Sequence, residues 1–487
     1  MSRPPCLTTA LAAALLGAFG AACAQAPGAA AQAASAPVLR EGQRIDDRRP
    51  DKPLTVDVFG RPVQLTGSWE YSDERRRNFD LDASRNRDRR VRDHEVKLEA
   101  RTKPGPNTEV FVQAVGLQAT RRTESTSGVQ RQRTKSLERG QTWVKFDQLG
   151  GGPWSVQLGR VALIDRRAWW WDDDLDAMRV QFEHKDWRLD TGLSKQLGRV
   201  SSAEDGITPE SKGVQRWFGQ GTWKFASRQN LDVFWLLAKD RSGRLSPGTT
   251  VAADDVTDPS DLNARWLGAR VSGEWRRPSG YRLAYWADAA MLRGRETDFA
   301  EPATDAVVGG RTRRVRGQAL DIGATAHLPY PMRPSVTLGY ARGSGGERSA
   351  RLDANFRQTG LQENKARLGG VKRWRMYGEL LQPELSNLAV TKLGGGLRFL
   401  DNSSVEVVVY GYRQPVPSVV LAGSRLGSSP LGHSGDIGRE IDLLIALREW
   451  KHLEFTLSLA RFMPGSAFAD NRRDPAYSVE LGAALNF

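Results

Sequence analysis

Charged side chains recur at every second position of several otherwise apolar segments. One such segment carries Lys97, Glu99 and Arg101, and another carries Glu440 and Asp442. A guanidinium group binds a carboxylate through two parallel hydrogen bonds and keeps its charge at any physiological pH. A surface with many such groups can therefore hold an anionic solute briefly and release it. This chemistry requires elements that turn all of these side chains toward one water-filled space.

These elements are predicted to be β-strands. From about residue 63 to the C-terminus, segments of roughly 8–13 residues alternate apolar and polar side chains, which is typical of a strand with two unlike faces. Eighteen such segments are predicted: 63–71, 92–101, 108–119, 139–147, 154–160, 176–184, 186–194, 214–226, 229–239, 263–276, 279–292, 313–328, 333–342, 389–400, 403–413, 437–448, 451–463 and 477–487. Short and long connections alternate between them, and the long ones include 72–91, 293–312 and 343–388.

This pattern predicts an all-β fold, a transmembrane antiparallel outer-membrane β-barrel of about 18 strands. The short connections would be periplasmic turns and the long ones extracellular loops. Because a bilayer offers no partner to backbone polar groups, a closed barrel is the β structure that can span it. The apolar set would face lipid and the charged set would line the lumen. A barrel of this width encloses an aqueous channel, so passage of a water-soluble molecule is the expected function.

The composition excludes several other classes of protein. The 487-residue chain is 39% hydrophobic with a mean hydropathy of −0.51, which is too polar for a polytopic helical membrane protein. None of the five histidines lies beside an obvious nucleophile motif, and no nucleotide loop or metal cluster is visible. We therefore expect no enzyme, no cofactor and no metal. Lys and Arg outnumber Asp and Glu by 71 to 57, which favours an anionic solute, and an exported barrel has little access to nucleic acid.

The N-terminus is predicted to be an export signal. Arg3 precedes the apolar stretch Leu7–Phe19, and Ala22-Cys23-Ala24 fits a cleavage site. A retained membrane helix and a lipoprotein signal ending at Cys23 are the alternatives. Both cysteines lie in this segment, so the mature chain would contain no disulfide. The predicted organisation is a signal peptide at 1–24, a flexible periplasmic linker at 25–60 and the barrel at 61–487.

Five runs of residues resemble the alginate export porin family of the bacterial outer membrane. The most specific run is Tyr377–Leu388. The others are 158–179, 356–364, 410–414, and 438–442 together with 461–468. The resemblance implies a monomeric 18-stranded barrel whose Arg-lined, electropositive constriction exports a polyuronate. It also implies a periplasmic tetratricopeptide scaffold as a partner, downstream of a polysaccharide synthase.

The resemblance also implies roles for individual side chains. The expected pore arginines, to which we add Arg367 of the long loop, are Arg160, Arg179, Arg357, Arg367, Arg413 and Arg461. Their expected acidic partners are Asp176, Glu379, Glu440 and Asp442. Interspersed carboxylates would prevent over-tight binding, because conduction requires weak and multiple sites. Arg461 has the parity of the lipid-facing set, and a bulge would be needed to turn it inward. The alternative for each pair is that it stiffens the barrel interior.

The expected function is export of an anionic exopolysaccharide through the outer membrane. The alternative is an anion-selective general or substrate-specific small-solute porin with the same lumen. Loop 343–388 would either fold back into the mouth as a gate or constriction, or form a cap above the barrel. Outer-membrane lipid and lipopolysaccharide are expected as further partners, since some basic residues should contact lipopolysaccharide phosphates.

Overall fold

The computed structural model describes residues 50, 52–85, 87–125, 128–242, 250–251, 260–299, 306–307, 310–346, 349 and 351–487. Within these residues, eighteen long strands form one antiparallel sheet that closes on itself. In chain order they are β1 Arg61–Arg77, β2 Asp88–Gly105, β3 Thr108–Ser125, β4 Gly128–Phe146, β5 Trp154–Ile164, β6 Asp172–His184, β7 Trp187–Lys195, β8 Gln215–Ala226, β9 Gln229–Lys239, β10 Ser260–Arg276, β11 Arg282–Phe299, β12 Gly310–His327, β13 Ser335–Gly343, β14 Ala389–Phe399, β15 Ser403–Arg413, β16 Asp436–Leu447, β17 Leu453–Pro464 and β18 Ala476–Asn486. Each strand pairs with its neighbours in sequence, and β1 pairs with β18 from Ser68 opposite Asn486 to Arg77 opposite Tyr477.

The two faces of the barrel wall follow the alternation in the sequence. On β11, Trp286 and Asp288 point inward and are buried, whereas Leu283 and Met291 point outward and are exposed. A period of two residues fixes which side chains face lipid, so the register of every strand is strongly specified. No helix among the described residues is long and apolar enough to cross a membrane.

The eighteen predicted strands are confirmed, but several continue further at the extracellular end. The predicted loop 72–91 shrinks to 78–87 because β1 runs to Arg77 and β2 begins at Asp88. Likewise, β11 and β12 extend into half of the predicted loop 293–312. Above the bilayer both faces of a strand are wet, so backbone pairing continues after the apolar alternation that marks a strand in the sequence has ended.

The N-terminal end of the described chain is also partly ordered. Residues Leu54–Val58, which belong to the predicted flexible linker 25–60, form a short strand that pairs with Arg61–Leu65. A turn at Phe59 and Gly60, both with positive φ, connects the two strands. The predicted signal peptide 1–24 lies outside the described residues.

The long connection after β13 folds into the lumen instead of remaining outside. Its short strands Lys365–Arg367 and Arg373–Arg375 pair as a hairpin. At the hairpin tip, the backbone N–H groups of Gly369 and Gly370 each donate to the Glu406 carboxylate at 2.9 Å. Glu406 lies near the periplasmic start of β15, so this connection, which we call the lumen loop (344–388), descends through most of the barrel.

A second segment enters the lumen beside the lumen loop and completes an apolar core there. Residues 165–171, between β5 and β6, bury three consecutive tryptophans, Trp169, Trp170 and Trp171. Trp170 stacks on Phe234 of β9 with a centroid distance of 4.9 Å. Leu380, Leu381, Leu385 and Leu388 of the lumen loop are fully buried in the same cluster. The core of the molecule therefore lies inside the barrel, between the inward loops and the wall.

Candidate functional site

The lumen is filled on one side and open on the other. Along β5–β16, almost all inward side chains are buried, and Phe234, Asp288 and Glu440 each have 0% exposure. Along β1, β2 and β18, inward side chains such as Asp93 and Glu480 remain partly exposed, whereas Phe111 of β3 and Trp143 of β4 are buried. An inward side chain of a closed barrel meets water only where water enters the lumen. A water-accessible passage therefore runs along β1, β2 and β18.

Three arginines from different segments meet beside this passage. Arg76 lies on β1, Arg375 on the lumen loop and Arg425 on the connection between β15 and β16. Arg76 and Arg425 both bind the Glu74 carboxylate, with N–O distances of 2.6 and 2.5 Å. Arg425 also donates to the backbone oxygen of Glu379 at 3.3 Å. We call Arg76, Arg375 and Arg425 the arginine cluster.

The arginine cluster is charged and reachable from the passage. Burial, together with the neighbouring charges of Arg76 and Arg375, lowers the pKa of Arg425 below its usual value, but a guanidinium group keeps its proton in proteins. The three side chains are between 15% and 29% exposed. They can therefore contact a solute that moves along the open side of the lumen.

The periplasmic half of the passage carries charges of both signs. Lys97 of β2 binds Glu95 at 2.5 Å and Glu70 at 3.3 Å. Arg101 binds Glu109 at 2.6 Å. This part of the wall is thus lined by ion pairs and is not uniformly positive.

Arg179 is an inward residue that is fully engaged with the wall. Its guanidinium forms a two-pronged ion pair with Asp190 of β7, with a 2.7 Å bond from Nε to Oδ1, and also contacts Gln157 at 3.3 Å. Only 8% of the side chain is exposed. The structure therefore gives Arg179 the role of stiffening the wall.

Arg357 and Arg367 both lie on the lumen loop. Arg357 binds Glu296 of β11 at 2.6 Å and Asp353 at 2.5 Å, and its backbone oxygen accepts a hydrogen bond from Trp266 at 2.8 Å. These contacts attach the start of the loop to the wall. Arg367 is exposed on the hairpin of the same loop.

Arg413 and Arg461 point out of the barrel, which corrects their assignment to the lumen. Each follows or precedes a buried inward aromatic residue, Tyr412 and Phe462 respectively, and each is exposed. Arg461 lies over the ring of the outward Tyr477 at 5.6 Å. The β15–β16 ladder has an irregularity next to Arg413, but it leaves the side chain on the outer face.

The expected acidic partners hold the lumen loop and do not pair with pore arginines. Glu440 accepts hydrogen bonds from the N–H groups of Leu380 at 2.8 Å and Leu381 at 3.0 Å. Asp442 accepts one from the N–H of Glu379 at 3.0 Å, and the Glu379 carboxylate accepts the N–H of Arg375 at 2.8 Å. The wall carboxylates of Glu440 and Asp442 therefore fix the height of the loop in the lumen, and Glu379 stabilises the loop internally.

Glycine is required where the lumen loop comes closest to these carboxylates. Gly378 has a φ of +96°, and a Cβ there would lie 2.3 Å from Tyr412 Oη and 2.6 Å from Glu440 Oε1. Such distances leave no room for any side chain. Side chains of the wall therefore pack directly against the backbone of the loop at this height.

Arg160 of β5 and Asp176 of β6 lie opposite each other in the sheet without forming an ion pair. Arg160 lines a cavity of about 210 Å³ together with Glu95 and Asp174. Asp176 instead binds Arg139 at 2.7 Å and accepts the N–H of Leu197 at 2.8 Å. Of the predicted arginines, Arg160, Arg357 and Arg367 are thus the three inside the barrel that keep some exposure, and the guanidinium of Arg357 is engaged by Glu296 and Asp353.

A buried charge network joins the two inward loops to the wall. Arg270 of β10 binds Asp165 and, at 2.6 Å, Asp288, while Arg167 binds Asp321 at 3.0 Å. Burial opposes ionisation of Asp165, but the charge and hydrogen bonds of Arg270 lower its pKa overall. With the nearby Lys392, three cations balance the three carboxylates. This network is structural, and it accounts for the Asp165–Trp169 part of the first family-like run.

The sequence reasoning did not find the arginine cluster. Arg76 falls inside the predicted loop 72–91, and Arg425 lies in a connection without any alternation. Arg375 stands two residues before the Tyr377–Leu388 run, so its proximity to that run was the available signal. No group of three or more His, Cys, Asp or Glu side chains in the described part of the chain is arranged to hold a metal ion.

Solved structures of Pseudomonas aeruginosa outer-membrane proteins share this fold. OccK7 (OpdD) aligns over 88% of this chain and 99% of its own, with 14% identity and a TM-score of 0.54. OccD3 (OpdP) aligns over 90% of this chain and 95% of its own, with 12% identity and a TM-score of 0.51. At such identities the likeness concerns the fold alone. A search of curated proteins finds no match.

The closed barrel, the inward loops and the charged passage have the architecture of an outer-membrane porin. Its sequence from residue 61 to residue 483 matches the family described as alginate export. The chain belongs to that family.

Proposed function

We propose that this porin exports an anionic polysaccharide of the polyuronate type. The observation that carries the proposal is the arginine cluster beside the water-accessible passage. Family membership supports the same class of substrate. The polymer would move along the face of the lumen loop that carries Arg367 and Arg375, past Arg76 and Arg425.

Exchange of carboxylates explains how such a polymer would be bound without being trapped. Glu74 already binds Arg76 and Arg425. A contact ion pair near a protein surface is worth about 4 kcal/mol in Coulomb energy, but replacing one carboxylate by another changes this little. A uronate at this site therefore competes with Glu74 for Arg76 and Arg425, so its net gain is much smaller than a full ion pair and it can leave easily. Weak, exchangeable sites of this kind are what conduction requires.

The remaining aspects of the proposal concern assembly and partners. One chain closes its own barrel through the β1–β18 pairing, which supports a monomeric channel. We assign residues 1–24 to an export signal, and a periplasmic scaffold would deliver the polymer to the short-turn end. The role is passive passage, without catalysis, cofactor or metal.

The test is block of channel current by oligouronates in planar bilayers. Arg375→Glu changes the local charge by two units beside the passage. At several ångströms and physiological salt, this corresponds to a block that is about tenfold weaker. Arg375→Lys keeps the charge and loses the guanidinium fork, so its block should lie between the two.

Arg413→Glu is the matched control, because it makes the same change of charge on the outer face. It should leave the block unchanged. Equal block in the unsubstituted chain and in Arg375→Glu, with the barrel correctly assembled, would refute the role of the arginine cluster. A loss of block in Arg413→Glu equal to that in Arg375→Glu would show that general surface charge is responsible.

Passage of small carboxylates is the second candidate function. The OpdK structure from Pseudomonas aeruginosa, which aligns with a TM-score of 0.50 at 12% identity, was solved with vanillate. The two functions differ in how block depends on the length of the solute. An exporter of polymer should be blocked more strongly as the number of uronate residues rises, whereas a small-solute porin should respond equally to the monomer.

A further inference from the structure

Five arginines form a patch on the outer wall, on three neighbouring strands. Arg265 of β10 lies directly opposite Arg293 of β11, which lies opposite Arg316 of β12. One step further toward the extracellular end, Arg295 lies opposite Arg314. All five side chains have the outward parity and are exposed. We call them the outer arginine patch.

The outer arginine patch lacks acidic partners within the described residues. None of its five guanidinium groups forms an ion pair or a side-chain hydrogen bond there. Like charges directly opposite each other destabilise a sheet. Elsewhere on the outer wall, neighbouring arginines have an acidic partner from the chain itself: Arg90 and Arg92 both form an ion pair with Asp73. Within the described part of the chain, these five positive charges are therefore left open to an anionic ligand.

The patch lies at the border between the apolar band and the extracellular loops. One step toward the periplasmic end, the outward residues are Leu267, Met291 and Gln318, of which Leu267 and Met291 face each other and are exposed. Further outward residues on the same strands, down to Leu283, are also apolar. The apolar band of an outer-membrane barrel is about 25 Å tall, and lipid headgroups lie at its edges. The guanidinium groups are thus at the depth of outer-leaflet headgroups.

A hollow in the outer wall joins this patch to an apolar surface. Its volume is about 1430 Å³, and the five arginines line one side of it. Leu193, Trp217 and Leu237 line the other side, and all three are exposed. Lys239 adds a further cation at the rim. The hollow thus combines several cations at one depth with room for hydrocarbon beside them.

We propose that this hollow binds the phosphorylated glycolipid of the outer leaflet, lipopolysaccharide. The phosphates of its lipid anchor would sit on the outer arginine patch, and its acyl chains would lie against Leu193, Trp217 and Leu237. Phosphate matches the guanidinium fork and supplies the missing negative charge. A soluble polyuronate has no hydrocarbon to fill the apolar side. The site is on the outer face of the wall and separate from the passage, so this proposal can be tested independently of the proposed transport function.

The test measures binding of hexa-acylated bisphosphoryl lipid A to the full-length barrel in detergent. The triple variant Arg265→Gln, Arg293→Gln, Arg316→Gln should bind this lipid at least about tenfold more weakly than the unsubstituted chain. Replacing the same three residues by Lys keeps the charge and should restore most of the affinity. The double variant Arg90→Gln, Arg92→Gln is the matched control, because those outward arginines already have Asp73, and its affinity should be unchanged.

Heat-modifiable migration in SDS confirms that each variant has a closed barrel. The lipid with both phosphates removed should bind weakly to every form, and inorganic phosphate should not compete at equal concentration. Equal affinity of the triple variant and the unsubstituted chain would overturn the proposal, as would equal affinity for the dephosphorylated lipid. Displacement of the lipid by inorganic phosphate or by oligouronate at similar concentrations would also overturn it, because the site would then be a simple anion site.

Discussion

Glu440→Gln should loosen the lumen loop while leaving the barrel closed. The Glu440 carboxylate accepts three hydrogen bonds, from the N–H groups of Leu380 and Leu381 and from the Tyr412 hydroxyl at 3.1 Å. A glutamine has the same size but keeps one carbonyl oxygen and places an NH₂ donor at the other position. At least one backbone N–H of the loop is then buried without an acceptor.

The magnitude follows from the hydrogen bonds that are lost. Leaving one buried donor unpaired opposite a former carboxylate costs about 1.5–3 kcal/mol. This changes the equilibrium between the docked and the released loop by about 10- to 150-fold. Because the barrel ladders of β15 and β16 do not involve this side chain, the wall should remain intact.

Single-channel recording is the assay. We expect a higher mean conductance and additional conductance levels in Glu440→Gln, with unchanged heat-modifiable migration in SDS. Glu124→Gln, at the exposed end of β3 where Glu124 pairs with Arg122, is the control and should conduct like the unsubstituted chain. Identical conductance of Glu440→Gln and the control would refute the idea that these hydrogen bonds hold the loop in the lumen.

Two further predictions concern the attachments of the inward loops. Arg270→Met leaves the buried carboxylate of Asp165 without its main partner, which should lower the free energy of unfolding by about 3–5 kcal/mol. The yield of folded barrel in refolding titrations with urea should fall accordingly. An unchanged urea midpoint would contradict this prediction. Burial opposes ionisation of Asp353, but its hydrogen bonds with Arg357 lower its pKa below the ordinary value of an aspartate. This ion pair within the lumen loop is therefore fully present above that ordinary value and is lost as the pH falls through the lowered pKa. In Arg357→Gln the burial of Asp353 is no longer offset, so the pKa of Asp353 rises. Hydrogen exchange of residues 353–361 should therefore accelerate at a higher pH than in the unsubstituted chain. Identical pH profiles of the two proteins would contradict this prediction.

The strands could be predicted because their signal is local and repeated. Lipid on one face and water or loop on the other impose a period of two residues, and each strand carries that pattern itself. Strand ends such as Arg77 could not be predicted, because pairing continues where both faces are wet. The outward direction of Arg413 could be predicted, because Arg413 follows the inward Tyr412 and successive residues of a strand face opposite sides. The family-like run around Arg413 carries no information about this direction.

The course of the lumen loop could not be read from its own residues. Its depth depends on partners far away in sequence, such as Glu406 for Gly369 and Gly370. Such capping leaves no periodic pattern in the loop. The arginine cluster was missed for the same reason, since three segments distant in the chain bring Arg76, Arg375 and Arg425 together.

The depth of the lumen loop also constrains the order in which the molecule can be assembled. The loop precedes β14–β18 in the chain, and its tip contacts Glu406 of β15 and Glu454 of β17. The seam between β1 and β18 involves the last strand of the chain. If the sheet curls around the loop before this seam joins, no segment has to be threaded through a finished cylinder. The lumen loop would then act as an internal template for the curvature of the wall. The channel would be narrow from the moment the barrel closes.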